Sequence, residues 1–132
     1  MNQIIVLASD HNGIELKSRV KQYLKSGDIT VVDLGPYNIN KKVDYVDYAN
    51  QLSRIVSNGD ASKGILICGT GVGMSIAANR YENIRAALIH NEYTAPKCRE
   101  HNDSNVLCLG SWVTTYEEVE TILDFWLSTE YG

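Results

Sequence analysis

Cysteine is scarce in this chain. Its 132 residues hold Cys68, Cys98 and Cys108, and no two of them form a CxxC pair. An odd, unpaired set argues against a disulfide framework and for a reducing compartment with free thiols. No apolar run approaches the ~20 residues of a membrane span. No basic segment precedes the apolar run of MNQIIVLASD, so the opening residues read as a strand rather than a signal peptide. There is no large excess of charge: the net charge is −4 and the isoelectric point about 5.3, which argues against a general nucleic-acid surface. Low-complexity segments, linkers and internal repeats are absent, and 44% hydrophobic residues argue against disorder. The expectation is one cytoplasmic domain, residues 1–132, large enough to bury a core without disulfides or metals.

What is present is alternation. IIVLA (4–8), ITVVDL (29–34), GILIC (64–68), IRAALI (84–89) and NVLCLG (105–110) read as strands. Between them lie amphipathic stripes. Leu16, Val20, Tyr23 and Leu24 form one, stopped by Gly27; Tyr45, Tyr48, Ala49, Leu52, Ile55 and Val56 form another, stopped by Asn58-Gly59. Further helices are expected over about 72–81 and 92–102. Thr115 and Glu118 look like a capping box before Val119, Ile122, Leu123, Trp126 and Leu127. Five β-rich runs alternating with five helices imply a parallel sheet covered on both faces. Such a doubly wound sheet commonly has the order 2-1-3-4-5, with a ligand crevice outside the carboxyl ends of strands 1 and 3.

That rule brings Asp10, His11 and Gly13 to one crevice with Cys68, Gly69, Thr70, Gly71 and Gly73. Glycines allow unusual backbone angles and close approach of a ligand. A helix N-terminus after them favours an anion or a charge that develops during reaction. The carboxyl end of a strand beside such a helix is a setting that makes a thiol a nucleophile or a base. The alternative reading of Cys68 is a small buried hydrophobe. Cys108 reads as core and Cys98 as a helix residue. A metal is the rival use of Asp10, His11 and His101, but no HxH or HExxH spacing supports it. No Gly-Lys-Ser/Thr follows the glycines, so the turn is not a P-loop.

SDHNG (9–13), DYVDYA (44–49), GILICGTGVGMSIAANR (64–80), IRAAL (84–88) and REHNDSNVLCLGS (99–111) together resemble the ribose-5-phosphate isomerase B family, with its allose- and galactose-6-phosphate isomerase relatives. The resemblance covers nearly the whole chain. It implies a three-layer Rossmann-like or flavodoxin-like α/β sandwich and a cofactor-independent aldose–ketose isomerase. It implies Cys68 as the base that moves a proton between C1 and C2, assisted by Thr70. Backbone groups of Gly69, Gly71, Val72 and Gly73, with Ser75 nearby, would hold the enediolate. Asp10 would bind sugar hydroxyls, His11 would meet the phosphate end, and Tyr45 would line the pocket. His101 would open the sugar ring and Asn102 would hold substrate, both facing a neighbour's crevice in a homodimer or homotetramer. No metal or organic cofactor is implied. The partner is a small sugar phosphate, not nucleic acid or membrane.

Two departures accompany the resemblance. Trp112 follows Gly110-Ser111 where the family carries an arginine, and the family's arginine-bearing tail lies beyond Tyr131-Gly132. Those arginines hold phosphate through a bidentate fork that indole cannot imitate. Three explanations stay open. The sequence is a piece of a longer chain; or Lys41, Lys42 or Lys97 binds the phosphate; or the sugar lacks a phosphate there and Trp112 stacks on it. A non-catalytic sugar-binding relative is the alternative from another class.

Overall fold

The computed structural model describes residues 3–25 and 27–132. Five strands alternate with five helices: β1 Gln3–Ser9, α1 Ile14–Leu24, β2 Ile29–Asp33, α2 Tyr45–Ser57, β3 Lys63–Cys68, α3 Val72–Ala78, β4 Ala86–Leu88, α4 Thr94–Glu100, β5 Val106–Gly110 and α5 Tyr116–Ser128. All pairings are parallel. Both faces of the sheet are buried at β1, β3 and β5, which is why those strands are nearly continuously apolar, whereas β2 at the edge is partly exposed. Ile5, Leu7, Ile65, Ile67, Leu107 and Leu109 pack against α1, α4 and α5. Their neighbours Val6, Ala8, Leu66, Cys68, Val106 and Cys108 pack against α2 and α3. Among the described residues no helix is long and apolar enough to cross a membrane.

The strand order is β2-β1-β3-β5-β4, so the expected order of the last two strands is corrected. β5 is buried at every position and pairs with β3, whereas β4 is three residues long and half-buried at the edge. Of these two strands the longer buried one takes the interior place, between β3 and β4. Right-handed crossovers then assign the helices. Steps β2→β3 and β3→β4 run one way and lay α2 and α3 on one face. Steps β1→β2 and β4→β5 run back and lay α1 and α4 on the other. The chain therefore reverses twice, and crevices open at the carboxyl ends of β1/β3 and of β3/β5. The helices after β3 and β4 are also shorter than expected. α3 ends at Ala78, where Asn79 leaves the helix and its side chain bonds both backbone groups of Ala86. The capping box of α5 is present in full, with both Thr115–Glu118 bonds.

One buried charge was not expected from the helical stripe. Lys17 of α1 is 2% exposed, and its Nζ lies 2.6 Å from Asp33 Oδ1 at the end of β2. The same oxygen accepts the Gly35 N–H at 2.9 Å, and the ammonium sits 4.9 Å over the Tyr37 ring. Lys21 approaches the other oxygen at 3.7 Å from a more exposed position. Removing one partner of a buried pair strands the other charge and costs about 3–5 kcal/mol, whereas an exposed pair is worth under about 1 kcal/mol. Urea unfolding of Lys17→Met should therefore show a loss in that higher range, moderated by Lys21, and Lys21→Met a loss below about 1 kcal/mol. Equal losses would mean that Lys17 is not the ion that matters.

Candidate active site

Three backbone contacts draw the carboxyl ends of β1, β3 and β5 together. Asp10 N–H donates to the Ile67 carbonyl at 3.0 Å, Ser111 N–H to Cys68 at 2.9 Å, and Trp112 N–H to Gly69 at 2.9 Å. Gly13 packs so tightly on β3 that a Cβ there would lie 2.7 Å from the Ile67 carbonyl oxygen. Gly110 is equally confined, with the Thr70 carbonyl 2.7 Å from where its Cβ would stand. The Asp10 turn and the Cys68 loop thus share one crevice, as their positions in the sequence imply.

Cys68 is nearly buried and its Sγ accepts the Gly71 N–H at 3.1 Å. That donor fixes the sulfur at the head of the loop. Thr70 is exposed beside it and its hydroxyl oxygen accepts the Val72 N–H at 3.2 Å. The Thr70 and Gly73 N–H groups have no acceptor among the described residues. Ser75 spends its hydroxyl on the Val72 carbonyl at 2.7 Å, so its hydrogen points along its own helix. Asp10 is buried, and its Oδ1 accepts the Asn12 N–H at 2.8 Å. His11 is tethered through Nδ1 to the Val43 backbone, 3.1 Å from its nitrogen, so the ring and the 35–44 loop hold each other. Burial pushes the thiols of Cys98 and Cys108 up, which keeps both protonated and inert.

The glycines of the loop serve its packing first. Gly71 has φ +80°, and a Cβ there would meet the Leu109 backbone at 3.0 Å. Over Gly69 lies the Trp112 indole, 2.5 Å from where a Cβ would be; over Gly73 lies the Tyr45 ring, at 2.7 Å. The loop is therefore flanked by two aromatic walls. Tyr45 is 38% exposed and Trp112 70%. Tyr45 was expected at the pocket; the partnership of each ring with a glycine was not, and no local pattern signals it.

The family described as Ribose/Galactose Isomerase matches residues 5–132. The chain belongs to that family. It is 45% identical to a probable ribose-5-phosphate isomerase B of Mycoplasma pneumoniae, over 99% of this chain and 86% of the relative. It superimposes with a TM-score of 0.95 on the type B ribose 5-phosphate isomerase of Trypanosoma brucei, at 40% identity, covering 99% of this chain and 89% of that one. The ribose-5-phosphate isomerase B of Mycoplasma genitalium with bound ribulose-5-phosphate gives 0.93 at 43% identity, covering 97% and 85%.

In this family member His101 and Asn102 do not join Cys68. Helices in a parallel α/β sheet run opposite to the strands, so the end of α4 lies at the amino edge, away from the crevice. His101 is exposed there. The segment around it is gripped firmly. Arg99 donates to the Ser104 carbonyl at 2.6 Å, Asp103 at 2.9 Å and the Thr129 carbonyl at 3.1 Å. Trp126 Nε1 donates to Ser104 Oγ at 2.9 Å, and Arg85 Nε to the Asp103 carbonyl at 2.6 Å. Lys97, one turn before His101, belongs to this far end as well. Asp10, His11 and His101 thus do not converge, and among the described residues no three His, Cys, Asp or Glu side chains could hold a metal ion. His90 follows β4 at the carboxyl edge, two strands from β3, with a buried Nδ1 that has no partner among the described residues.

The two glycines should respond differently to alanine. At Gly69 the obstacle is an exposed indole that can swing away, so Gly69→Ala should cost under ~1 kcal/mol and shift Trp112 emission to the red. At Gly71 the obstacle is backbone and φ is positive, so Gly71→Ala should cost ~2 kcal/mol or more. Thermal unfolding with fluorescence detection separates the two.

Proposed function

We propose that this protein interconverts ribose 5-phosphate and ribulose 5-phosphate without a cofactor, with Cys68 as the base, and that residues 1–132 act as one isomerase domain. The observation that carries the reading is the Cys68 sulfur, held at 3.1 Å by the Gly71 N–H at the head of a loop whose neighbouring N–H groups have no acceptor. The carbon-bound proton beside a carbonyl is weakly acidic. Cys68, as thiolate, takes it from C2 of the open-chain aldose; the electron pair moves onto the carbonyl oxygen and an enediolate forms. Donors aimed at that oxygen lower the barrier most. The Thr70 and Gly73 N–H groups supply them, with Gly69, Gly71, Val72 and Ser75 shaping the cradle. A proton passes from O2 to O1 of the enediolate, the same thiol returns its own proton to C1, and the ketose results. Proton and electrons stay within the sugar and one thiol, so no redox partner is consumed.

Thr70 orients the sugar oxygens beside the thiol. Asp10 accepts hydrogen bonds from sugar hydroxyls, His11 meets the phosphate end, and Tyr45 walls the pocket. His101 opens the sugar ring and Asn102 positions it, in the crevice of a second copy. The opposite edges that these groups occupy support that division, and so does an exposed apolar patch. The 60%-exposed Ile76 of α3 lines a cavity of about 510 Å³ together with Tyr45, and the exposed Val72 begins the same helix. Such a patch suits a homodimer or a homotetramer built from dimers. Three unpaired thiols suit a cytoplasmic setting.

Two inactive variants test the whole reading together. Cys68→Ala and His101→Ala should each lose interconversion by several orders of magnitude while keeping the fold. Mixed and allowed to exchange subunits, they should recover roughly a quarter of normal activity, because half the dimers are mixed and each mixed dimer holds one intact site. Turnover near normal in Cys68→Ala would sink the role of the thiol. Failure of the exchanged mixture to recover would sink the shared site.

A further inference from the structure

His101 and Asn102 form an exposed tip between the end of α4 and β5. Their side chains are not aimed by bonds of their own. The carboxylate beside the His101 imidazole is that of Glu100, 3.7 Å away and itself 45% exposed. The Asn102 side chain makes no hydrogen bond among the described residues. The direction of both side chains therefore rests on the backbone that carries them. That backbone turns at Asp103, whose φ is +50°. L residues rarely adopt this left-handed region, although aspartate and asparagine visit it more readily than most.

Every polar atom of Asp103 is engaged. Its N–H donates to the Arg99 carbonyl at 3.0 Å. Arg99 Nη1 holds one carboxylate oxygen at 2.9 Å, and Arg85 Nη2 approaches the other at 3.4 Å. Arg85 Nε donates to the Asp103 carbonyl at 2.6 Å. The two arginines differ in what else they do. Arg99 is 9% exposed and also holds the Ser104 and Thr129 carbonyls, so it is part of the packing of this end. Arg85 precedes β4 and its side chain is half-exposed. Its backbone is fixed independently of its guanidinium. The Arg85 N–H donates to Asn105 Oδ1 at 2.8 Å, and its carbonyl accepts the Asn105 N–H at 3.0 Å. A second left-handed residue, Asn83 at φ +65°, presents its carbonyl to Asn105 Nδ2 at 2.7 Å. The guanidinium thus reaches Asp103 from a clamped base, and a half-exposed pair of this kind adds little to global stability.

We propose that Arg85 is a positioning residue: it locks Asp103 in its left-handed turn and thereby aims His101 and Asn102 at the sugar. The inference rests on the isomerase reading and adds to it a residue that touches no substrate. A strained backbone persists only where its surroundings over-determine it, and such points gather where geometry serves function. Losing the donor on its carbonyl frees Asp103 to relax toward a right-handed or extended backbone. The tip then swings, because neither of its side chains has a bond that would hold it. Misplacing a reacting group by about 1 Å lowers a rate on the order of a hundredfold.

Arg85→Met keeps an aliphatic stem and removes the donors. In this variant amide hydrogen exchange should quicken roughly tenfold at Asp103 and Ser104, with the amides of β3 and β5 unchanged. Turnover of ribose 5-phosphate should fall roughly tenfold to a hundredfold, and Arg85→Lys should recover part of it. Subunit exchange then locates the defect. Mixed with Cys68→Ala, the Arg85→Met protein should regain activity, because one site of each mixed dimer draws Cys68 from one chain and a well-aimed His101 from the other. Mixed with His101→Ala it should not, because both changes damage the same half of the site. A general structural defect would be rescued by neither partner, and a defect on the Cys68 side by His101→Ala alone. Either pattern would overturn the proposal, and so would unchanged exchange at Asp103. If Cys68→Ala and His101→Ala fail to restore each other, the shared site falls. The proposal then stands if Arg85→Met costs little in a His101→Ala background and is overturned if it costs its full factor there. An unaltered protein without turnover of ribose 5-phosphate would retire the isomerase reading. Exchange at Asp103 in Arg85→Met would then decide the lock by itself, faster exchange supporting it and unchanged exchange overturning it.

Discussion

The site depends on one close approach, that of β5 to β3 at their carboxyl ends. Cys68 pairs with Gly110, and the absent side chain at Gly110 lets the Thr70 carbonyl come in beside it. From that contact follow the bonds of Ser111 to Cys68 and of Trp112 to Gly69. A Cβ at position 110 would push the two loops apart. The loop would then lose its aromatic wall over Gly69. The order of the last two strands is thus a condition of the chemistry. A sheet with β4 in the central place would bring the loop after Leu88 to Cys68 instead.

Much of this was legible in the sequence. The alternation of elements, the capping box at Thr115 and the convergence of Asp10 with Cys68 follow from local patterns and from the rule for open parallel sheets. The order of β4 and β5 does not, because each segment looks the same whichever neighbour it pairs with. A hint existed in the charge: NVLCLG carries none, whereas Arg85 interrupts IRAALI, of which only Ala86–Leu88 enters the ladder. Lys17 was hidden for another reason. It adjoins the apolar stripe Leu16–Val20, and only the tertiary position of Asp33 turns it inward. The edge occupied by His101 could have been reasoned from helix direction alone. The glycines were read for ligand approach, whereas the structure presses Trp112 and Tyr45 onto two of them.

The molecule divides the residues proposed to act on the sugar between two ends of the sheet. The Cys68 loop is held by the Gly71 N–H on the Cys68 sulfur and by the Leu109 backbone packed against Gly71. The segment around His101 is rigid because two arginines and a buried indole hold its carbonyls and hydroxyl. Both resist the small displacements that matter most when a proton is passed between two atoms.

The loop over 35–44 is fastened at both ends. At its root the Asp33 carboxylate, neutralised by the buried Lys17, holds the Gly35 N–H; near its far end Val43 holds His11. A polar segment of this length, free between its anchors, would sample many conformations and lose them when a ligand fixed His11. Tied in this way, it has already surrendered most of that freedom during folding, and the hydrophobic core has offset the loss. On the proposed reading the imidazole would meet the sugar phosphate with little further entropy to give up, and an ammonium ion sealed beneath α1 would contribute to affinity at a site it never touches.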